Sequence, residues 1–293
     1  IVIEPNFTKS NTKNANLTTQ SSFDATNAML NTSTSDTSNE NDASTFSNTL
    51  SFTRTFKKKG KYLSLVFENE NGATTDNGYT KSNTIFYQGS LPDDTRDQFN
   101  KSNNKVANYR TEFEFTHPIT DSLQVKVGLE YKYNTNKDTR DSFEYDALNQ
   151  SYSIQNSLLT NAFNSTERTF TPNAGINFNK KAFNLNFNFG TNVINFNNDA
   201  DYLNLNTTLN KNFVAPYVNA YGNIKFSKTK NIWINYNYNY DLPSAREILP
   251  VEDLANPLNT YIGNSNLDLT KSHGIYLSYR DFDYATRSGY GTY

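Results

Sequence analysis

Apolar and polar side chains change places at every second residue along much of this chain. The run 231–241 shows it well. Ile232, Ile234, Tyr236, Tyr238 and Tyr240 alternate with Asn231, Asn235, Asn237, Asn239 and Asp241, and Trp233 is the one exception. A period of two is that of a β-strand with one apolar and one polar face. The run is also as long as the roughly 9–11 residues that a membrane-crossing strand requires. The stretch 123–133 repeats the design with ions. Leu123, Val125, Val127, Leu129, Tyr131 and Tyr133 alternate with Gln124, Lys126, Gly128, Glu130 and Lys132. Charge on one face and none on the other implies two solvents, lipid outside and a polar lumen inside. Val127, Leu129, Leu185, Phe187 and Ile234 are therefore expected to face lipid, and Lys126, Glu130, Asn186 and Asn235 the lumen.

Further strands are predicted at 1–8, 46–56, 61–67, 109–117, 170–178, 183–189 and 213–226, and around Ile275, Leu277 and Tyr279, with an unfinished segment after them. Pro5 marks the opening run as an edge strand or a bulge. The total is about eleven strands. Short turns near 58, 120, 180, 228 and 282 alternate with long polar connections near 27, 88, 150, 204 and 255. Residues 11–43, rich in Asn, Ser, Thr and Asp, are expected to form a long and partly disordered loop. Residues 70–105 and 135–165 are expected as long loops with inner hairpins. The first would pair Thr84–Gln88 with Thr95–Asn100, and the second would turn around Asp146–Asn149. A medium loop is expected over 197–212 and a long segment over 242–268.

This asymmetry of turns belongs to transmembrane barrels. The fold class is all-β, an antiparallel transmembrane β-barrel, with residues 1–293 as one barrel domain. A soluble β-sandwich also has alternating strands. It accounts less well for the uniformly long strands, the strict alternation of turn length and the dominance of aromatics on the apolar face.

Composition narrows the function. The chain is 35% hydrophobic and 14% aromatic, so Phe and Tyr make up much of its apolar content. A net charge of −2 with scattered Lys and Arg argues against a nucleic-acid partner. Without cysteine there is neither a disulfide framework nor a thiolate metal site. No apolar run reaches the roughly 18 residues of a transmembrane helix. The two histidines, His117 beside a short turn and His273 past a long loop, are expected toward opposite sides of the membrane. They cannot share a nucleophile–base site, so no enzyme is predicted. Asp36–Asp42 is acidic but lacks the glycine and terminal glutamate of a calcium loop. No cofactor is expected.

The segment 236–279 resembles the late barrel region of TonB-dependent outer-membrane receptors, specifically the outer-membrane β-barrel group common in Bacteroidota. Leu242-Pro243 stands where that family has an aromatic strand followed by an Arg-Pro-like pair. Leu249-Pro250 is a variant of its Leu-x-Pro step, Asn256-Pro257-Leu258 follows, and Gly263-Asn264 with Leu267 matches its last block. Ser265 and Leu269 replace two family prolines, and Thr270 stands in place of an acidic residue. The turns at His117-Pro118-Ile119 and Ser227–Lys230 also look like this family. From the residues themselves, Ser244 and Glu247 form a capping-box pattern that predicts a short helix, and Gly263-Asn264 predicts a turn. The motif residues Pro243, Leu249, Pro250, Pro257, Gly263, Asn264 and Leu267 are expected to brace the rim, and no substrate-binding residue is singled out.

The resemblance implies a transporter that imports a scarce nutrient across the outer membrane with energy passed on by TonB. Implied partners are outer-membrane lipid, further barrel strands, a plug domain absent from this sequence, the TonB complex and a surface lipoprotein. The sequence begins at Ile1 with neither a plug nor a signal segment, and it shows about half of the 22 strands of plugged transporters. It is therefore expected to be part of a larger transporter. A smaller, self-contained pore or adhesin barrel without TonB coupling is the alternative.

Overall fold

The computed structural model describes residues 1–88, 92–253, 261–283 and 285–293. Its strands are β1 (Val2–Phe23), β2 (Met29–Thr55), β3 (Tyr62–Phe86), β4 (Asp94–Pro118), β5 (Leu123–Asp146), β6 (Ser151–Gln155), β7 (Asn161–Lys180), β8 (Phe183–Tyr202), β9 (Leu205–Lys225) and β10 (Lys230–Asp241). A short helix α1 (Ala245–Ile248) follows, then β11 (Glu252–Asp253), β12 (Tyr261–Ile262), β13 (Thr270–Asp283) and β14 (Ser288–Thr292). One antiparallel meander runs β1-β2-β3-β4-β5-β7-β8-β9-β10-β13-β14, with β6 paired to β5 beside it, and β11-β12 form a separate ribbon. Such a sheet needs only hairpin connections, and consecutive strands supply them.

Register carries the apolar residues into rows. Phe52, Leu65, Phe113 and Leu129 are cross-strand neighbours in turn. So are Ile176, Phe187, Ala220, Tyr236 and Ile275. Leu65, Val127, Leu129, Phe187, Ile234 and Leu277 remain between 40% and 55% exposed. So wide an apolar band facing outward is stable only against an apolar solvent. The buried clusters lie on the opposite face, where Phe163, Phe196 and Ala200 pack against Ala245, Ile248, Leu249 and Val251. That face is the inner one.

The long loops expected from the sequence are strands instead. Residues 11–43 form the upper parts of β1 and β2, joined by a turn in which the Asp24 carboxylate accepts from the Thr26 and Ala28 N–H groups. Residues 70–86 belong to β3 and 94–105 to β4. Thr84 pairs with Asp94 as the topmost rung of that ladder, so the expected separate hairpin is the end of the sheet. In 135–165 the inner hairpin exists. β5 and β6 meet around a turn in which Asp146 accepts from the Leu148 and Asn149 amides. The medium loop at 197–212 is only the turn Leu203-Asn204, with φ of 49° and 60°, the hand that matches strand twist. The turn expected at Asp281–Asp283 comes later, after β13 ends at Asp283.

The physical reason is the same for each long stretch. Above the apolar band both faces are wet, so alternation disappears, and Asn and Ser have low strand propensity. The ladder continues because it is already registered below, and polar cross-strand pairs support it. Asn11 donates to Asp42 at 2.8 Å, Asn104 to Asn136 at 2.8 Å, and Ser33 and Thr84 hydroxyls meet at 2.8 Å. Pro5 lies on β1, which pairs only with β2 and is an edge of the path.

Candidate functional site

Four adjacent strands place ions on the inner face. Glu68 on β3, Arg110 on β4 and Lys132 on β5 are cross-strand neighbours, and Glu112 sits directly across from Glu130. Two carboxylates opposite each other repel, and Arg110 resolves the conflict. Its Nε donates to Glu130 at 2.6 Å, its Nη1 to Glu68 at 2.9 Å, and its Nη2 to Glu112. The fixed fork of a guanidinium allows one side chain to serve three carboxylates. Lys132 reaches Glu130 at 3.1 Å, and Lys126 reaches Glu114 at 3.4 Å. The Tyr62 hydroxyl donates to Glu114 at 2.6 Å. On β7, Glu167 accepts from Asn134 and from the Thr169 hydroxyl.

Beside this ladder the wall folds inward. The ladder between β9 and β10 ends at Asn219–Asn237, whereas β10 and β13 stay paired as far as Asp241–Thr270. β9 presents Pro216 just beyond that point, and proline brings no N–H to a ladder. The Asn192 amide donates to the Pro216 carbonyl at 3.1 Å and accepts from Thr171 at 2.8 Å. Thr171 and Pro172 in turn sit at a break in the β7–β8 ladder. Freed from β9, the end of β10 leans over the inner face. Tyr238 and Tyr240 pack against the cluster of Ile194, Ala215 and Leu269, and the Tyr240 hydroxyl bonds to Thr169. Their alternation with Ile232 and Ile234 implied lipid contact, and the parting of the ladder overrides it. A cavity of about 420 Å³ remains between Glu130, Lys132, Glu167, Asn192 and Tyr217 on the wall and the turned-in residues 238–242.

The segment singled out by motif sits next to this cavity. Ser244 caps α1. Its hydroxyl accepts from the Glu247 amide while the Glu247 carboxylate accepts from the Ser244 N–H at 2.7 Å. The Ser244 N–H foremost, and the Ser244 hydroxyl that also donates to the carboxylate at 2.8 Å, hold the Glu247 carboxyl below its ordinary range. Leu249 is fully buried against β7 and β8, Leu267 packs on the same cluster, Pro243 is half-buried and Pro250 is exposed. Gly263 is buried where a Cβ would stand 1.9 Å from the Leu249 carbonyl oxygen. Only glycine allows the return strand to pass so close. Exposed Asn264 donates its N–H to the Glu247 carbonyl at 2.7 Å. Pro257 lies outside the described residues.

Two anchors were not legible in sequence. Arg246 lies over the Phe163 ring, 5.0 Å from its centroid, and pairs with Asp138 of β5 at 3.3 Å. Lys211 of β9 donates to the Leu267 carbonyl at 2.7 Å. Both are isolated cations whose partners lie more than fifty residues away, and no local pattern marks them. His117 lies near the short-turn end of β4. His273 is on β13, with its Nδ1 2.9 Å from the Tyr236 hydroxyl, so the two stay apart. Asp36 and Asp42 are rungs of β2 opposite Lys81 and Thr75. Among the described residues, no three His, Cys, Asp or Glu side chains are placed so that they could hold a metal ion.

Residues 54–293 match the family model described as outer membrane protein beta-barrel family. The chain belongs to this family. As a member of the outer membrane protein beta-barrel family it is an integral outer-membrane protein, and its apolar band is the lipid-facing wall. No curated protein matches the sequence. Among solved structures, the chain is similar to the ferric yersiniabactin uptake receptor FyuA from Yersinia pestis, with a TM-score of 0.44 and 8% identity over 95% of this chain and 48% of that one. It is also similar to the ferric-catecholate import receptor Fiu from K12 E. coli, with a TM-score of 0.45 and 10% identity over 95% of this chain and 54% of that one. A third similarity is to the outer membrane protease OmpT from Escherichia coli, with a TM-score of 0.28 and 6% identity over 99% of this chain and 89% of that one. The chain spans about half the length of the two receptors.

Proposed function

We propose that this chain is part of the wall of a TonB-dependent transporter that imports a scarce nutrient, in the Bacteroidota manner that its loop motif resembles. One observation carries the reading. The motif segment folds onto the inner face through Leu249, Gly263 and Leu267, and the cavity beside it reaches Glu130 and Lys132 of the Arg110 carboxylate network. A polar passage constricted from one side suits guided passage of a polar solute better than a passive hole. In this reading the short turns are periplasmic and the tall ends are extracellular. Further strands continue the sheet from β1 and β14, a plug occupies the lumen, and a surface lipoprotein meets the tall rim.

Intact mass from the native membrane, combined with uptake, tests it. A mass at least twice that of this chain, with uptake abolished by TonB depletion or plug deletion, is expected. A closed barrel of this chain's mass with TonB-independent passage would establish the pore or adhesin instead. Single cysteines at Asn77 and Lys58 test the orientation. An impermeant thiol reagent on whole cells is expected to label the first and spare the second.

A further inference from the structure

At the short-turn edge of the apolar band, cations stand on aromatic rings. The Lys61 ammonium lies 5.0 Å from the Phe56 ring centroid and 5.5 Å from that of Phe115. The Arg54 guanidinium is 5.6 Å from the Phe56 ring, and the Lys180 ammonium is 5.3 Å from that of Phe178. Register puts all of them on the outward face. Arg54 is opposite Leu63, Phe115 is opposite Val127, and Phe178 is opposite Leu185. Among the described residues, none of Arg54, Lys61 and Lys180 has a carboxylate partner. Lys230, on the same edge, is paired with Asp281 at 3.0 Å. Three uncompensated cations thus border a surface that lipid covers, with their stems lying along apolar side chains and their charges directed to the polar edge. A ring face supports a cation without neutralising it.

We propose that this edge is a binding surface for anionic phospholipid headgroups. The charge is complementary, and the level is right, because Phe56, Phe115 and Phe178 are each the last phenylalanine before a short turn. Lys61 and Lys180 are separated by the width of β3 to β7, about 15 Å at ordinary strand spacing. The arc therefore meets separate lipids and not one chelated ion. None of the described cavities is lined by Arg54, Lys61 or Lys180, whereas a headgroup is held in place by its own acyl chains against the rings. Cations near an anionic membrane surface each add to such attraction, and salt screens it.

The test uses the full-length protein in nonionic detergent, supplied with equal amounts of phosphatidylglycerol and phosphatidylcholine, with native mass spectrometry counting retained lipids. Several-fold enrichment of phosphatidylglycerol is expected. It should disappear in the variant combining Arg54→Gln, Lys61→Gln and Lys180→Gln. It should persist when Lys101, Lys105 and Lys137, far above the band, are changed to Gln. Equal retention of both lipids by the native protein, or enrichment unaffected by the first variant, would overturn the proposal. Loss of the enrichment to an equal concentration of inorganic phosphate would overturn it too, by showing an anion site. Should the first variant fail to assemble, the native protein in graded sodium chloride gives the same decision. Enrichment must fall as salt rises, and salt-independent enrichment would refute the electrostatic surface.

Discussion

The lower and upper parts of each tall strand are one hydrogen-bonded ribbon in two media. On β5 the outward side chains from Val125 to Tyr133 are apolar. The outward positions above them are Thr135, Lys137, Thr139 and Asp141. The ladder to β4 does not register the change and runs unbroken from Pro118–Gln124 to Gln98–Glu144. Alternation therefore reports where lipid is, and not where a strand stops. The same contrast separates the ion pairs. Arg110 holds three carboxylates on a half-covered inner wall, while Lys13 and Glu40 pair at 2.9 Å in open water.

The largest effect should come from putting a charge on the lipid side. Leu129→Lys should destabilise the folded protein by about 2–4 kcal/mol. Thr139→Lys, on the same strand and the same face, should change stability by no more than about 0.5 kcal/mol. Urea titration in lipid bilayers measures both, and equal costs would break the division into two media. Next is Arg110→Ala, which leaves Glu68, Glu112 and Glu130 facing one another. Partial cover puts its cost at about 2 kcal/mol, between those of exposed and buried pairs. Lys13→Ala should leave the unfolding midpoint where it is, and a matching loss there would show that the upper ladder is less wet than its sequence implies.

Ser244→Ala should cost about 1 kcal/mol through the lost cap. Its signature is faster proteolysis within 242–268, with the midpoint of the sheet unchanged. The smallest effect is one of pH. The Glu247 carboxyl is held low by the Ser244 N–H and hydroxyl. Its contribution is thus complete above the ordinary glutamate range and is lost as pH falls through the lowered folded value. Amide exchange at Ile248 and Leu249 should accelerate over that acidic window, and less so in Ser244→Ala. Exchange independent of pH after correction for intrinsic rates would remove Glu247 from the cap.

What could be read from the sequence follows the same line. Val127, Leu129, Leu185, Phe187 and Ile234 lie on the face that alternation assigned, because lipid imposes a demand on every second residue. The capping box at Ser244 was readable because its chemistry is local. Residues 11–43 were not, since a ribbon wet on both sides has no reason to alternate. Tyr238 and Tyr240 misled because their placement depends on Pro216 and Asn192, on strands that sequence spacing does not bring together. Arg110 falls on the polar face of the run 109–117, but its three partners depend on register.

The two media also set different rules for changes in chain length. Inside the lipid band, one inserted residue would turn every later side chain on that strand to the opposite face and carry Lys126 or Glu130 into hydrocarbon. There the strand's length is locked. Above the band, a residue added to each arm of a hairpin raises the rim by about 3.3 Å and exposes nothing that water does not already wet. Descendants of this chain can therefore grow or shed height at Asp24–Ala28 and Leu203-Asn204 in single-rung steps, while the portion that crosses the membrane stays the same length.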